Sequence, residues 1–360
     1  MFAKNLKLDD DYTLETSADT RRGLLQLAMY AMHVGSGSTL LCKTIKVATV
    51  KLYVRAAATF LSLFGEHSRD YRKDYVTDAH LSPTLTSVFD ELQRWEKVAN
   101  RREPYTLEML DDLKNTATLV QNPDSLLAAA ADWFQCGLHA GLRLTEWAQE
   151  AGCADLQKYK KDFHNDARAF LLGDIRFEDD ARTRFTAQQV LAKDADTSIV
   201  KCWVKFRTQK NGQNGEEKLF TRNDKGHCFV GAMLRILRRF VRIRGFYDEK
   251  TPLALYKNEG DSEGRFITAS DIETIMRHNA ANVYKLDPVR DKKALQLWSS
   301  HSLRVGACVL LHASGCTEST IQWLLRWRSN AFMAYLRNVA ILCNNQNAAF
   351  DKAAAMPQFM

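Results

Sequence analysis

Proline and glycine are scarce, six and 17 among 360 residues, too few for a collagen-like or low-complexity chain. No run of about 18 apolar residues offers a membrane span. The first eleven residues end on Asp9, Asp10 and Asp11, where a signal peptide would carry an apolar stretch. The expectation is therefore a soluble protein that is not exported and has no membrane partner. Eight cysteines (Cys42, Cys136, Cys153, Cys202, Cys228, Cys308, Cys316 and Cys343) include no C-x-x-C pair. That leaves no paired ligand spacing for zinc, and a chain of this length needs no disulfide framework. Scattered in this way, the cysteines read as small core residues in a reducing compartment. There is no internal repeat.

What is present is an ordinary globular composition, 46% hydrophobic and 26% charged, able to bury sizeable cores. The length suggests two domains. A net charge of +7 permits a nucleic-acid partner without demonstrating one. Residues 1–20 are polar and read as a flexible N-terminus. From Arg21 the apolar spacing is helical, with Leu24, Leu25, Leu27, Ala28 and Met32 on one side,. A second helix is expected from about Ser38 to Phe64, where Lys43, Lys46, Lys51 and Arg55 accompany apolar Val47, Val50 and Val54. That basic row is either a solvated face or a set of phosphate contacts. Residues 101–106 interrupt the pattern with charge and a proline and mark a linker between a helical domain over 21–100 and a second domain,.

In the second domain Thr106 is placed to cap a helix through Leu113, and Ser125 to about Ala151 reads as one long apolar-periodic helix containing Arg143 and Glu146,. At Ile199 the period switches to two. Val200, Cys202, Val204 and Phe206 alternate with Lys201, Trp203, Lys205 and Arg207, which predicts a strand with one buried and one basic face,. The turn after it, with Lys210 near its tip, returns through Lys218–Phe220 as a hairpin,. Gly231–Arg244 is a basic amphipathic helix with Arg235, Arg239 and Arg242 beside its apolar stripe. Ser299 or Ser300 is expected to cap a helix that Gly315 ends, and Thr317 to cap the next,.

Singly, the polar residues of these segments mean little. His301 and Arg304 lie three apart on one helical face, Arg143 and Glu146 share that spacing, and either pair could be structural,. Their order along the chain is more informative. Gly141-Leu142-Arg143-Leu144-Thr145-Glu146, a turn lysine, His301-Ser302-Leu303-Arg304, Trp327 and Tyr335 follow one another across one domain. This series resembles the tyrosine recombinase (phage-type integrase) family. The match is fullest from His301 through HSLRVGACVLLHASGCTESTIQWLLRWRSNAFMAYLRN, and the wording of Arg326–Arg337 resembles recombinases of eukaryotic mobile elements. Arg326 stands where the family carries glycine.

The resemblance implies a mainly α fold with a small β-sheet in the catalytic domain (α+β), arranged as a two-domain clamp on duplex DNA. Residues 21–100 would be the core-binding domain, 107–343 the catalytic domain, and 344–360 a tail exchanged between subunits of a tetramer. It implies a site-specific recombinase or integrase without metal, ATP or cofactor, located in the nucleus of a eukaryotic host and otherwise in the cytoplasm. Arg143 and Arg304 would clamp the scissile phosphate, since guanidinium forks match its nonbridging oxygens. His301 would donate to the phosphate or accept a proton, Trp327 would donate its indole N–H, and Glu146 would hold Arg143. Lys210 would protonate the leaving 5′ oxygen, with Lys205 and Arg207 as neighbouring alternatives, and Tyr335 would form a 3′-phosphotyrosine ester. DNA contacts would come from Lys43, Lys46, Lys51, Arg55, Lys205, Arg207, Arg235, Arg239 and Arg242. The rival readings are a non-catalytic DNA-binding protein on the same scaffold and a type IB topoisomerase-like enzyme.

Overall fold

Three amphipathic helices carry the first core. The computed structural model describes residues 20–36, 45–64, 70, 72–73, 81–96, 101–149, 154–156, 169–192, 198–207, 209, 214–224, 226–246, 248–249, 251–327, 329, 332–333 and 335–336. The chain divides into two compact units, 1–99 and 100–360. In the first, α1 (Thr20–Gly35), α2 (Val47–Phe64) and α3 (Pro83–Trp95) bury one stripe each. Leu24, Leu27, Ala31 and Val34 of α1 meet Val47, Val50 and Val54 of α2 and Leu85, Phe89 and Leu92 of α3, the three-to-four-residue spacing that turns one helix face inward. Ser82 caps α3 by accepting from the Thr84 amide, with Pro83 at the first helical position,. The Glu96 carboxylate accepts from the Val47 amide at 3.2 Å and satisfies an open donor at the start of α2,.

The second unit is mainly helical with a small antiparallel sheet, an α+β fold. Its helices are α4 (Leu107–Leu119), α5 (Leu126–Ala140), the one-turn α6 (Leu144–Trp147), α7 (Ala187–Ala192), α8 (Phe229–Arg244), α9 (Ala269–Tyr284), α10 (Lys292–Leu295), α11 (Ser302–Ala313) and α12 (Glu318–Leu324). Strands β1 (Ile175–Asp179), β2 (Arg184–Thr186), β3 (Ile199–Phe206) and β4 (Glu216–Thr221) form a sheet in the order β2-β1-β3-β4, and β5 (Leu255–Tyr256) pairs with β6 (Arg265–Phe266). Helix α5 is central and nearly all buried. It packs against α4, α8 and α11, and Trp133 stacks on Trp147 with centroids 5.2 Å apart. Cys136, Cys202 and Cys308 are buried in these packed layers. Among the described residues no helix is long and apolar enough to cross a membrane.

Several local expectations hold. Thr106, Ser125 and Thr317 cap α4, α5 and α12 through their side chains, and β3 pairs with β4 as a hairpin. Others do not. The helix expected over Ser125–Ala151 stops at Ala140, because Gly141 takes a left-handed backbone at φ +55 and closes it,. The buried alternation in β3 falls on Ile199, Cys202, Val204 and Phe206 rather than starting at Val200, because the register with β1 shifts between Glu178 and Asp179, and such a bulge resets which face a residue takes. Neither Ser299 nor Ser300 caps α11. His301 occupies the cap position without a side-chain capping bond, and the Ser299 amide donates to Ser302 Oγ at 3.0 Å.

One glycine sets how closely α11 approaches the start of α4. A Cβ on Gly306 would lie 2.1 Å from the Tyr105 carbonyl oxygen and 2.9 Å from Leu138. Backbone cannot yield as a flexible side chain does, so Gly306→Ala should cost about 1–3 kcal/mol. A urea titration would show this as a lower midpoint with an unchanged slope.

Candidate active site

The turn that closes α5 is also what places Arg143. After Gly141, Leu142 is buried, and Arg143 sits at the cap of α6 in extended backbone. Glu146, the third residue of α6, reaches back so that its Oε2 accepts from the Arg143 amide at 2.8 Å, while its Oε1 accepts from Arg143 Nη1 at 2.9 Å. The spacing of three therefore marks a cap and not two neighbours on one helical face. Arg143 Nε and Nη2 make no hydrogen bond among the described residues.

Helix α11 supplies His301 and Arg304 from its first turn. Arg304 is 2% exposed. It donates from Nη1 to the Gly141 carbonyl and from Nη2 to the Leu325 carbonyl at 2.6 Å, and its guanidinium carbon lies 4.5 Å from the centre of the Trp327 ring. Carbonyls and an aromatic face solvate this cation, and among the described residues no carboxylate is bonded to it. Burial, with Arg143 and Arg326 adding like charge, pushes its pKa down to about 9,. A buried guanidinium in that condition gains from any anion placed beside it.

Beyond α12 the chain brings Trp327 and Tyr335 over a small separate core of Ala307, Cys308, Ile321, Leu325, Phe332 and Leu336. Tyr335 Oη lies 2.7 Å from His301 Nε2, and the Trp327 and Tyr335 ring centres are 5.6 Å apart. Burial raises the Tyr335 phenol above its ordinary pKa, and Arg304 works against that rise. Burial lowers His301, helped by Arg304, Arg102 and Arg143. At neutral pH the pair is thus a neutral phenol beside a neutral imidazole, and the tautomer with its proton on Nδ1 leaves Nε2 to accept from the phenol,. The Trp327 indole N–H is buried and has no hydrogen-bond partner among the described residues, an orphan donor of the kind that a ligand oxygen satisfies.

A further residue joins this group that sequence reasoning noted only as a departure. Arg326 has a left-handed backbone at φ +58, which costs a non-glycine residue about 1–2 kcal/mol. Its side chain is fully buried and donates from Nη1 and Nη2 to Glu146 Oε1 and Oε2, each at 3.1 Å, and from Nη2 to the Ala140 carbonyl at 3.2 Å. The guanidinium lies 3.5 Å from the centre of the Phe206 ring. Arg143 and Arg326 thus share one carboxylate, Arg304 is bonded to carbonyls, and the site carries an excess of positive charge.

The structure brings together Arg143, Glu146, His301, Arg304, Trp327 and Tyr335. Lys210 and Lys43 lie outside the described residues, as does the tail 344–360. Lys205 is half-buried on β3. Arg207 bonds to Asp174 at 2.8 Å and to the Ala169 carbonyl, so its charge is engaged inside the fold. Helix α8 is likewise less free than its pattern suggests. Arg235 and Arg239 pair with Asp132 at 2.7 and 2.6 Å, Arg242 pairs with Asp124 at 2.6 Å, and Arg239 is buried. These arginines tie α8 to the middle of α5 and to the turn before it, and the carboxylates that engage them lie too far away in sequence for periodicity to reveal. Lys46, Lys51 and Arg55 in the first unit are exposed, with Lys51 5.2 Å from the centre of the Phe89 ring.

No family model matches the chain, and no curated protein matches it. Among solved structures, the integrase of the Tn1549 transposon in complex with circular intermediate DNA is 12% identical, covering 92% of this chain and 85% of that one with a TM-score of 0.37. The same integrase in complex with transposon right end DNA is 12% identical, covering 98% of this chain and 98% of that one with a TM-score of 0.41.

Proposed function

We propose that this chain cleaves and rejoins DNA strands as an enzyme of the tyrosine recombinase type, with Tyr335 as nucleophile. The observation that carries this reading is the 2.7 Å approach of Tyr335 Oη to His301 Nε2 beside the buried Arg304. The first turn of α11 thus holds a proton acceptor next to a phosphate-matching cation, and the chain beyond α12 brings a phenol to them. An exposed His–Tyr contact alone would be unremarkable. Arg143 Nε and Nη2, unbonded among the described residues, and the orphan indole N–H of Trp327 supply further donors for an anion.

In this mechanism Tyr335 Oη attacks the scissile phosphorus while its proton passes to His301 Nε2. Arg143 and Trp327 donate to the nonbridging oxygens, and the charge of Arg304 opposes the negative charge that builds there. The new bond is Tyr335 Oη to phosphorus, and the bond to the 5′ oxygen breaks. That oxygen takes a proton from a lysine, Lys210 by the resemblance. The resulting 3′-phosphotyrosine ester keeps the bond energy, so a 5′ hydroxyl of the same or another strand can attack it and restore the phosphodiester without ATP. Residues 21–100 would hold DNA through Lys46, Lys51 and Arg55, residues 107–343 would perform the chemistry, and residues 344–360 would dock into a neighbouring subunit of a DNA-bound tetramer.

The test is incubation with a pool of nicked duplexes of randomised sequence, in which the fragment carrying the 5′ hydroxyl diffuses away and traps the intermediate. A denaturant-resistant protein–DNA adduct is the expected result. Salt-sensitive binding without any adduct would instead describe a non-catalytic DNA-binding protein. Because His301 must be neutral to accept the phenolic proton, adduct formation should fall as pH drops through a midpoint below the ordinary histidine value of 6.5,. His301→Gln should lower the rate and remove that acid limb.

A further inference from the structure

We infer that Arg326 is a positioning residue that takes up the Glu146 carboxylate from the buried side, leaving the Arg143 guanidinium free to address the scissile phosphate. This rests on the strand-cleavage reading above and deepens it.

Glu146 accepts four N–H groups: Arg143 Nη1 and Arg326 Nη1 on Oε1, and the Arg143 amide and Arg326 Nη2 on Oε2. Arg326 takes one acceptor site on each carboxylate oxygen, so a second guanidinium cannot occupy that same end-on fork,. Arg143 therefore meets Glu146 through a single side-chain nitrogen and keeps Nε and Nη2 unspent. Without Arg326, the same carboxylate is open to capture Arg143 in the two-nitrogen geometry that Arg143 needs for a phosphate.

Position also argues for a selected role. The left-handed backbone at Arg326 explains why glycine suits this place,, yet this chain keeps a large cation there in spite of the strain. Arg326 also links elements that the chemistry must hold in register. It donates to Ala140 at the end of α5 and lies over Phe206 at the end of β3, the strand that precedes Lys210 in the chain. A second contact pins the same hairpin to α12, where Lys218 Nζ donates to the Trp323 carbonyl at 3.1 Å and sits 3.9 Å from the centre of the Trp323 ring.

The test uses the full chain and the nicked-duplex assay, with the rate of adduct formation at saturating DNA, the affinity for intact duplex and the thermal midpoint read separately for Arg326→Gly, Arg326→Met and Arg326→Lys. Glycine relieves the left-handed strain, so this variant separates strain from charge. Arg326→Gly and Arg326→Met are expected to lower the saturated rate by about 10- to 100-fold, with affinity within about twofold because Arg143 and Arg304 remain charged. Arg326→Lys should recover part of the rate. Glu146→Gln combined with Arg326→Met should lose less than the two single losses multiplied, because the two residues act through one carboxylate. A Tyr335-dependent adduct that forms at the wild-type rate in Arg326→Gly would overturn this inference and leave the strand-cleavage reading standing. Rate losses that only follow the fall in thermal midpoint, with no recovery by lysine, would also overturn it. Failure of the wild-type chain to form any adduct would overturn both.

Discussion

Tyr335→Phe is expected to lower covalent capture of DNA by at least about a thousandfold, since the step then lacks its nucleophile. Binding of the same duplex should change by less than about twofold, because the phenol adds no charge for the phosphates to meet. The substitution keeps the ring that packs beside Trp327 over the core of Phe332, Leu325 and Leu336. It removes one hydrogen bond to His301, a stability change of about 1 kcal/mol at most. Loss of chemistry with retention of folding and binding is thus a sharp expectation. An adduct that persists in Tyr335→Phe would mean that another side chain attacks.

Arg304 should give the second large effect, and of a different kind. Arg304→Ala removes the cation nearest the phenol and leaves the Gly141 and Leu325 carbonyls without their donor. Losing a preorganised cation beside a reacting phosphate should cost about 100- to 1,000-fold in rate. Each buried carbonyl left unsatisfied adds about 1–3 kcal/mol of instability, so the midpoint of unfolding should fall as well. Arg304→Lys separates the two effects. It restores a charge, but an ammonium has no planar fork to fix two carbonyls while lying flat on Trp327 as the guanidinium does,. Its rate should stay well below wild type even where most of the stability returns. Equal rates in wild type and Arg304→Lys would show that the charge alone matters and that the fixed fork does not.

The parts of this arrangement that could be read from the sequence are those with local causes. Thr106, Ser125 and Thr317 announce helix starts because their hydroxyls need only the next turn to satisfy. The β3–β4 hairpin is legible because period two and an Asn- and Gly-rich turn act over a few residues. The end of α5 was hidden by continuity. The apolar residues on either side of Gly141 keep a helical spacing, and only the left-handed backbone at that glycine breaks it. The arginines of α8 were hidden by distance, because their partners Asp132 and Asp124 lie more than a hundred residues earlier. Arg326 was visible as a change of residue type, but its bearing on Glu146 depends on α5 ending at Ala140 and on the chain beyond α12 packing against it. A pattern along one segment cannot carry that information. His301 and Tyr335 were named from the order of residues, while their direct contact is a property of the folded chain alone.

The most direct measurement is to isolate the adduct formed on a nicked duplex, digest both protein and DNA, and locate the residue that bears the nucleotide by mass spectrometry. The expected result is a single modified peptide in which the Tyr335 oxygen is esterified to a 3′ phosphate. A nucleotide on any other side chain, or a linkage through the 5′ phosphate, would contradict the assignment of Tyr335 as the attacking group.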